Sequence, residues 1–317
     1  MTAKPDVTVV IAAWNAEAFI GTAIESALAQ EGPAVEVIVS DDASGDGTAS
    51  LVQHLAERDP RIRLVANPVN QGPSAARNRA IAAARGTWIA VLDADDRFAP
   101  GRLSRLVAFA EAHEADLAFD LVREIDEQGQ DIATPSAPAV ISPERWDLAR
   151  WITDNLPGRS GMGTGYLKPL IRRATLDTVG RPYRENLRNS EDYALVAELL
   201  ARGGSVWVSP DAGYLYTRRT GSISHRIGPE HIAPLLQFDE QFARNLSDAN
   251  RHVRALQKRR ISALKNTLTL THVIAGLKAR NPIRVMRALA ERPQALGALI
   301  RWIGEVIAKR LHPSAHF

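Results

Sequence analysis

The 317-residue sequence contains no cysteine. That excludes disulfides and thiolate-held metals, and agrees with a reducing compartment. No uncharged apolar run approaches the roughly 20 residues that a membrane-spanning helix requires. The first ten residues, MTAKPDVTVV, hold one lysine and lead directly into a strand-like run, so no signal peptide is expected there. No G-x-x-x-x-G-K-[ST] loop occurs, which argues against P-loop phosphate binding. The glycine cluster GMGTG at 161–165 has neither the spacing nor the position after a first strand that a dinucleotide loop needs. No internal repeat is visible.

What remains is a composition typical of a soluble globular protein, 45% hydrophobic and 24% charged, in a length that fits one large domain with an appendage or two domains. The net charge of +3 is unevenly spread. From Arg251 onward, fourteen lysines and arginines face two acids, which leaves about +12 there and about −9 on the first 250 residues. An acidic body with a basic tail is not a general nucleic-acid binder.

The first 125 residues alternate between two patterns. VTVVIAA (7–13), VEVIVS (35–40), RIRLVAN (61–67), TWIAVL (87–92) and DLAFDLV (116–122) are apolar and rich in β-branched residues, as expected of strands buried on both faces. Helical patterns lie between them at about 18–30, 48–58 and 73–85, and from about Pro100 onward. Such alternation predicts βαβ units and a parallel sheet. Residues 124–160 predict irregular connections with short helices. Order returns with a helix from Glu191 to about Ala201 and short strands at 205–208 and 214–219, and everything beyond 228 reads as helical.

Ligands of such sheets bind beyond the carboxyl ends of the strands. Four polar or glycine-rich segments fall on that rim: Ala13-Trp14-Asn15, Asp41 to Gly47, Asn67 to Gly72, and Asp93 to Asp96. The last is the most informative. Three carboxylates within four positions, Asp93, Asp95 and Asp96, close a buried strand, and they repel one another unless something positive intervenes. Alternation sends Asp93 and Asp95 to the same side. A divalent cation shared with phosphate oxygens suits them, whereas a solvated Asp-rich turn requires no ligand. SDDASGDGT (40–48) is open to both kinds of explanation too, since Asp46 or Thr48 can cap the next helix. It mimics the start of an EF-hand loop, but Gln53 stands where a bidentate Glu is required, which rules out calcium of that type. Glu191 and Asp192 suit a first helical turn on dipole grounds alone, and become a candidate general base only if the fold brings them to the same rim.

Taken together, V-I-A-A-W-N (10–15), S-D-D-A-S-G-D-G-T (40–48), N-Q-G-P-S-A-A-R-N (70–78), L-D-A-D-D (92–96) and E-D (191–192) resemble a family 2 glycosyltransferase of GT-A fold over roughly residues 5–225, and within it bacterial exopolysaccharide enzymes of the succinoglycan type. The resemblance implies an α/β fold with a mostly parallel central sheet flanked by helices. It divides the chain into a catalytic domain at 1–227, with a donor half at 1–100 and an acceptor and base half at 101–227, and a basic helical region at 228–317. It implies inverting transfer of a sugar from a nucleotide-sugar donor, with UDP favoured, to a glycan or polyprenyl-diphosphate-linked saccharide.

The implied roles run as follows. Ala12, Trp14 and Asp42 line the nucleobase pocket, with Asp42 accepting from the base and Asp41 and Asn15 beside it. The family usually has Tyr where this chain has Trp14. Gly72, Arg77, Asn78, Asp93 and Ala94 line the donor site. Asp95, with Asp93, holds Mn²⁺ or Mg²⁺. Asp192 is the catalytic base and Glu191 its neighbour. YTRRTGSISHR (216–226) offers Arg218 and Arg219 to the diphosphate and His225 as a metal ligand, or is a basic surface loop. Lys168 touches phosphate or acceptor, or is a solvated lysine. RWIGEVIAKRL (301–311) either packs on the body or a partner, or lies on an anionic membrane at the cytoplasmic face. Two other functions remain open on the sequence: a sugar nucleotidyltransferase, for which the expected glycine-rich loop after the first strand is missing, and a non-catalytic nucleotide-sugar-binding protein, which would not need both Asp95 and Asp192.

Overall fold

The structure is a computed structural model. It describes residues 4–132, 140–158, 164–178, 180–219, 228–246, 250–297 and 299–300. The chain divides into two compact units, residues 1–155 with 159–222, and 156–158 with 223–317.

The first unit is built on a single mixed sheet. Its order is β3-β2-β1-β4-β8-β6-β9-β5, with β7 paired to β9. β1 (Val7–Ala13), β2 (Val35–Asp41), β3 (Ile62–Ala66) and β4 (Trp88–Asp93) are mutually parallel. β1, β2 and β4 lack alternation because both faces are covered: Val9, Val10, Ile11, Val37, Ile38, Val39, Ile89 and Val91 are all fully buried. The intervening helices are α1 (Ile20–Leu28), α2 (Thr48–Arg58) and α3 (Pro73–Ala82). Proline is tolerated at the first turn of α3, and Gly72 before it has φ +93°, a conformation that favours glycine. Gly86, just before β4, leaves no room for a side chain, since a Cβ there would lie 2.5 Å from the Thr8 backbone nitrogen.

The other half is more mixed. β5 (Arg97–Phe98) and α4 (Arg102–Ala112) lead to β6 (Leu117–Ile125), β7 (Glu144–Trp146) and α5 (Leu148–Asp154). β8 (Leu170–Arg172) is antiparallel to both β4 and β6, and so joins the two halves of the sheet. α6 (Arg173–Asp177) and α7 (Glu191–Ala201) follow. The two short strands expected at 205–208 and 214–219 are one strand, β9 (Val206–Thr217), parallel to β6. Ser209-Pro210-Asp211 reads as a turn, but the chain absorbs it in register shifts against Phe119, Leu121 and Val122, the kind of irregularity in which proline is accommodated within a sheet.

The second unit is helical in its described part: α8 (Pro229–Asn245), α9 (Arg251–Lys278) and α10 (Pro282–Glu291). Asp239, fully buried on α8, accepts from Arg260 Nε at 3.1 Å and from Gln257 Nε2 at 2.5 Å, both on α9. No described helix is long and apolar enough to cross a membrane. The segment 301–311 lies outside the described residues.

Candidate active site

The ends of β1, β2 and β4 are laced to one another before any ligand is considered. Asp41 holds the Ser44 hydroxyl at 2.5 Å, and that hydroxyl accepts the Asn15 N–H at 2.9 Å. Asn15 Oδ1 in turn accepts the Gly45 N–H at 2.8 Å. Asp46 accepts from the Thr48 N–H and hydroxyl, so it organises the start of α2. Trp14 stands at the end of β1 with half its surface exposed, a large aromatic face free to stack. Ala12 is half-buried beside it.

Asp42 is buried and turned toward the 67–79 segment. Its carboxylate accepts from the backbone of Gln71 (3.0 Å) and Gly72 (2.6 Å), from Arg79 (2.7 Å) and from Asn67 (3.2 Å). Burial opposes its ionisation, but the two backbone N–H groups and the Arg79 guanidinium outweigh that and hold it below the usual carboxylate range. A carboxylate has about four lone-pair sites. Those of Asp42 are filled by its own chain, so a base N–H would have to displace one of these donors.

The three acids at the end of β4 are neutralised in three different ways. Asp93 lies between two cations: Oδ1 is 2.7 Å from Arg77 and Oδ2 is 2.9 Å from Lys168 Nζ. Burial works against its charge, yet Lys168 and Arg77 depress it far below the ordinary range. Asp95 pairs one oxygen with Arg219. Asp96 is buried, accepts from the Tyr214 hydroxyl at 2.7 Å and the Thr217 N–H at 2.8 Å, and pairs with no cation among the described residues. Burial first, then the charges of Asp93 and Asp95, push it well above the usual range and favour its neutral form. The positive partners of this strand end therefore come from α3, from the segment before β8 and from the end of β9.

The segment that starts α7 is brought to this rim by α3. Asn78 donates to the Tyr183 carbonyl at 2.8 Å and accepts the Tyr183 N–H at 2.9 Å, so its amide pins backbone rather than facing an open site. The Ser74 hydroxyl donates to the Leu187 carbonyl at 2.7 Å. Arg77, buried between them, reaches Glu191 with one arm and Asp93 with the other. Trp151 stacks on Tyr193 and donates to its carbonyl, which packs α7 from the far side.

Asp192 is 5% exposed, and its Oδ2 is 3.1 Å from Lys168 Nζ. Its Oδ1 is buried and makes no well-aligned hydrogen bond among the described residues, nor do the Tyr183 hydroxyl and Arg77 Nε, although the Tyr183 phenol approaches Asp192 as a hydrogen-bond partner. Burial, followed by the Asp192 charge, pushes the Tyr183 phenol well above its ordinary value. Orphaned buried polar atoms are uncommon and signal strain, catalysis or a missing ligand. Backbone strain falls in the same place. Of five non-glycine residues with left-handed backbone among those described, Asn15 (φ 50°), Ala43 (φ 61°) and Ser190 (φ 62°) border this rim.

Arg218 pairs with the buried Glu124 at 2.8 Å, whereas Arg219 lies over the Phe19 ring and reaches Asp95. Ala94 is half-buried in the turn between Asp93 and Asp95. His225 lies outside the described residues. Among the described residues, no group of three or more histidine, aspartate or glutamate side chains forms a ready metal cage. An ion of the Mg²⁺ or Mn²⁺ kind does not need one, because it takes one or two carboxylates and completes its shell with phosphate oxygens and water. Asp95 fits that use: its second oxygen has no hydrogen-bond partner among the described residues.

A sheet of this topology, with an acid-rich fourth strand end facing a second acid pair on a later helix, is the GT-A fold. Crystal structures with this fold include Staphylococcus aureus TarS (residues 1–349) in complex with UDP-GlcNAc, with TM-score 0.61 and 19% identity over 91% of this chain and 92% of that one. The mannosyltransferase PcManGT from Pyrobaculum calidifontis in complex with GDP-Man and Mn²⁺ has TM-score 0.60 and 20% identity over 97% and 81%. Residues 8–174 match the sequence model of glycosyl transferase family 2. Over 98% of its length the chain is 39% identical to the succinoglycan biosynthesis protein ExoO and 33% identical to ExoU, both of Rhizobium meliloti, covering 90% and 91% of those proteins. The chain belongs to glycosyl transferase family 2 and is a glycosyltransferase; family membership removes the nucleotidyltransferase alternative.

Sequence reasoning left Lys168 undecided and did not single out Tyr183. Both face Asp192 across a gap in sequence, and the only local signal was a lysine directly before a proline and an apolar strand.

Proposed function

We propose that this glycosyltransferase moves a sugar from a nucleoside diphosphate, with UDP as the nucleotide, to a hydroxyl of a glycan or polyprenyl-diphosphate-linked saccharide during assembly of a bacterial exopolysaccharide. The polysaccharide context is supported by ExoO and ExoU, and the donor class by TarS solved with UDP-GlcNAc. The observation that carries the mechanism is the placement of Asp192, buried and oriented by Lys168 on the rim that holds Asp93 and Asp95.

Asp192 Oδ1 accepts the proton of the acceptor hydroxyl as that oxygen attacks the anomeric carbon. The nucleoside diphosphate leaves from the opposite face, so the configuration inverts. Lys168 fixes the other Asp192 oxygen, and Arg77 fixes Glu191 against Asp93. Trp14, with Ala12, Asn15 and Asp41, forms the wall for the nucleobase; Asp42 shapes that wall by ordering Gln71 and Gly72. Gly72 and Ala94 complete the donor side, with Asn78 holding the Tyr183 backbone behind it, and Arg218 and Arg219 supply positive charge at the end of β9. Asp95, with Asp93 beside it, would hold a Mn²⁺ or Mg²⁺ ion, which would stabilise the negative charge of the departing diphosphate. Residues 1–100 bind donor, 101–227 supply acceptor contacts and base, and 228–317 form an accessory region.

We test this with UDP release from UDP-glucose, UDP-galactose and UDP-N-acetylglucosamine with Mn²⁺, with and without a lipid-linked acceptor extract. One donor should raise the melting temperature selectively and release UDP faster when acceptor is present. Equal indifference to all three, with binding confined to GDP- or dTDP-sugars, contradicts the UDP assignment.

The accessory region is proposed to place the enzyme on the cytoplasmic face of the membrane. On α10, Ile283 (79% exposed) and Met286 (67%) project beside Arg284 and Arg287. Apolar side chains flanked by arginines match an anionic bilayer surface. Arg284→Glu with Arg287→Glu should reduce flotation with anionic vesicles of phosphatidylglycerol; unchanged flotation speaks against this surface.

A further inference from the structure

Lys168 has no role in the mechanism beyond its contact with Asp192, yet its placement is unusual. It sits just before β8, the strand that joins the two halves of the sheet, and is only 7% exposed. Its ammonium is 2.9 Å from Asp93 on the donor side and 3.1 Å from Asp192 on the base side. A buried lysine persists charged only when paired. Here the two partners are carboxylates from the two halves of the site. Burial disfavours the ammonium, but the charges of Asp192 and Asp93 overcome this and raise Lys168 well above the usual lysine range.

We infer that Lys168 is a positioning residue that sets the base against the donor, a role that rests on the assignment of Asp192 as base. With Oδ2 tied to the ammonium, the Asp192 carboxylate is held in orientation, and Oδ1, beside the Tyr183 phenol, is the oxygen left for the acceptor hydroxyl. The same ammonium fixes Asp93 Oδ2, whose other oxygen is held by Arg77. The ammonium thus joins the donor rim to the base directly, beside the second bridge that Arg77 makes from Asp93 to Glu191. The Lys168 carbonyl accepts from the buried Arg102 at 2.9 Å, and Arg102 is itself clamped on Asp120, so the lysine backbone has a rigid seat. Without the ammonium, Asp192 would lose its direct ion-pair partner and Asp93 would keep Arg77 alone. The base would turn away, while the nucleobase wall around Trp14 and Asp42 has no contact with this lysine.

The test uses the full chain, UDP with Mn²⁺ as the binding probe, and the UDP-sugar from which the wild type releases UDP fastest. Lys168→Met should lower kcat about 100-fold, the scale of a misplaced catalytic group, with calorimetric UDP affinity within about threefold of wild type. Lys168→Arg should recover at least a tenth of kcat, and ethylammonium should restore activity to Lys168→Ala. In an Asp192→Asn background, Lys168→Met should cause no further loss, because the two residues act as a unit. If Lys168→Met is too unstable to assay, Lys168→Arg and the amine rescue decide. Wild-type kcat in Lys168→Met, parallel loss of UDP binding, absence of both rescues, or an additional drop on top of Asp192→Asn each overturn the positioning role. Wild-type transfer by Asp192→Asn alone instead overturns the base assignment, which separates the two failures.

Discussion

Asp95, at the end of β4, is held by Arg219, at the end of β9, 124 residues later in the chain. The pair closes one side of the donor rim and leaves a single Asp95 oxygen without a protein partner among the described residues. A carboxylate so placed is available to a cation shared with a diphosphate. We expect Asp95→Ala to lose the Mn²⁺-dependent part of UDP affinity. Calorimetry with and without Mn²⁺ checks this, and an undiminished Mn²⁺ effect would show that the cation is held elsewhere.

Trp14 is the exposed aromatic of the rim. Stacking contributes about 0.5–1.5 kcal/mol beyond area burial, so Trp14→Ala should weaken UDP binding by about 3- to 10-fold, whereas Trp14→Tyr should stay near wild type. Titration of UDP into both variants checks the order; equal affinities would remove Trp14 from the base pocket.

Arg77 joins Asp93 to Glu191 through two separate nitrogens. A lysine cannot reproduce that fork. Arg77→Lys should therefore lower transfer by about 10- to 100-fold while leaving a folded protein, because a misplacement of about 1 Å costs on that scale. Initial rates of UDP release, read beside the melting temperature, make the comparison. A fully active Arg77→Lys would mean that charge alone suffices.

Glu36 gives a prediction that concerns stability alone. It accepts from the Thr8 hydroxyl at 2.7 Å and from Arg85 through backbone and side chain. Burial opposes its charge, but these bonds prevail and lower it from its ordinary 4.5. The unfolded chain binds the proton near that value and the native state only at lower pH. The stabilisation is thus present above about pH 4.5 and is lost as pH falls through the native value. Glu36→Gln should cost about 1–3 kcal/mol near neutrality and show a shallower loss between pH 6 and pH 4. Denaturant titrations at the two pH values test it; parallel losses in both proteins contradict it.

Much of this was legible in the sequence, for a physical reason. Strands buried on both faces must be apolar at successive positions, so β1, β2 and β4 announce themselves, and the α2 bounds Thr48–Arg58 were read directly. The rim followed from the rule that such sheets bind at their carboxyl ends. The approach of Glu191 and Asp192 did not follow, because it depends on Asn78, Ser74 and Arg77 reaching residues more than 100 positions away, and such pairings leave no local pattern. β9 was divided because Ser-Pro-Asp looks like a turn until its neighbour β6 absorbs the irregularity. Asn78 looked like a ligand-facing residue, and the structure uses it to order backbone, whereas Asp46, read as a cap candidate, does bind the first residue of α2.

The central claim is that Asp192 takes the proton of the incoming hydroxyl. The direct measurement is single-turnover transfer to the lipid-linked acceptor by Asp192→Asn, beside calorimetry of UDP with Mn²⁺. The account predicts UDP affinity within about threefold of wild type and transfer reduced by about 10²- to 10⁴-fold, the contribution of a general base. Transfer at the wild-type rate, with donor binding intact, would contradict it.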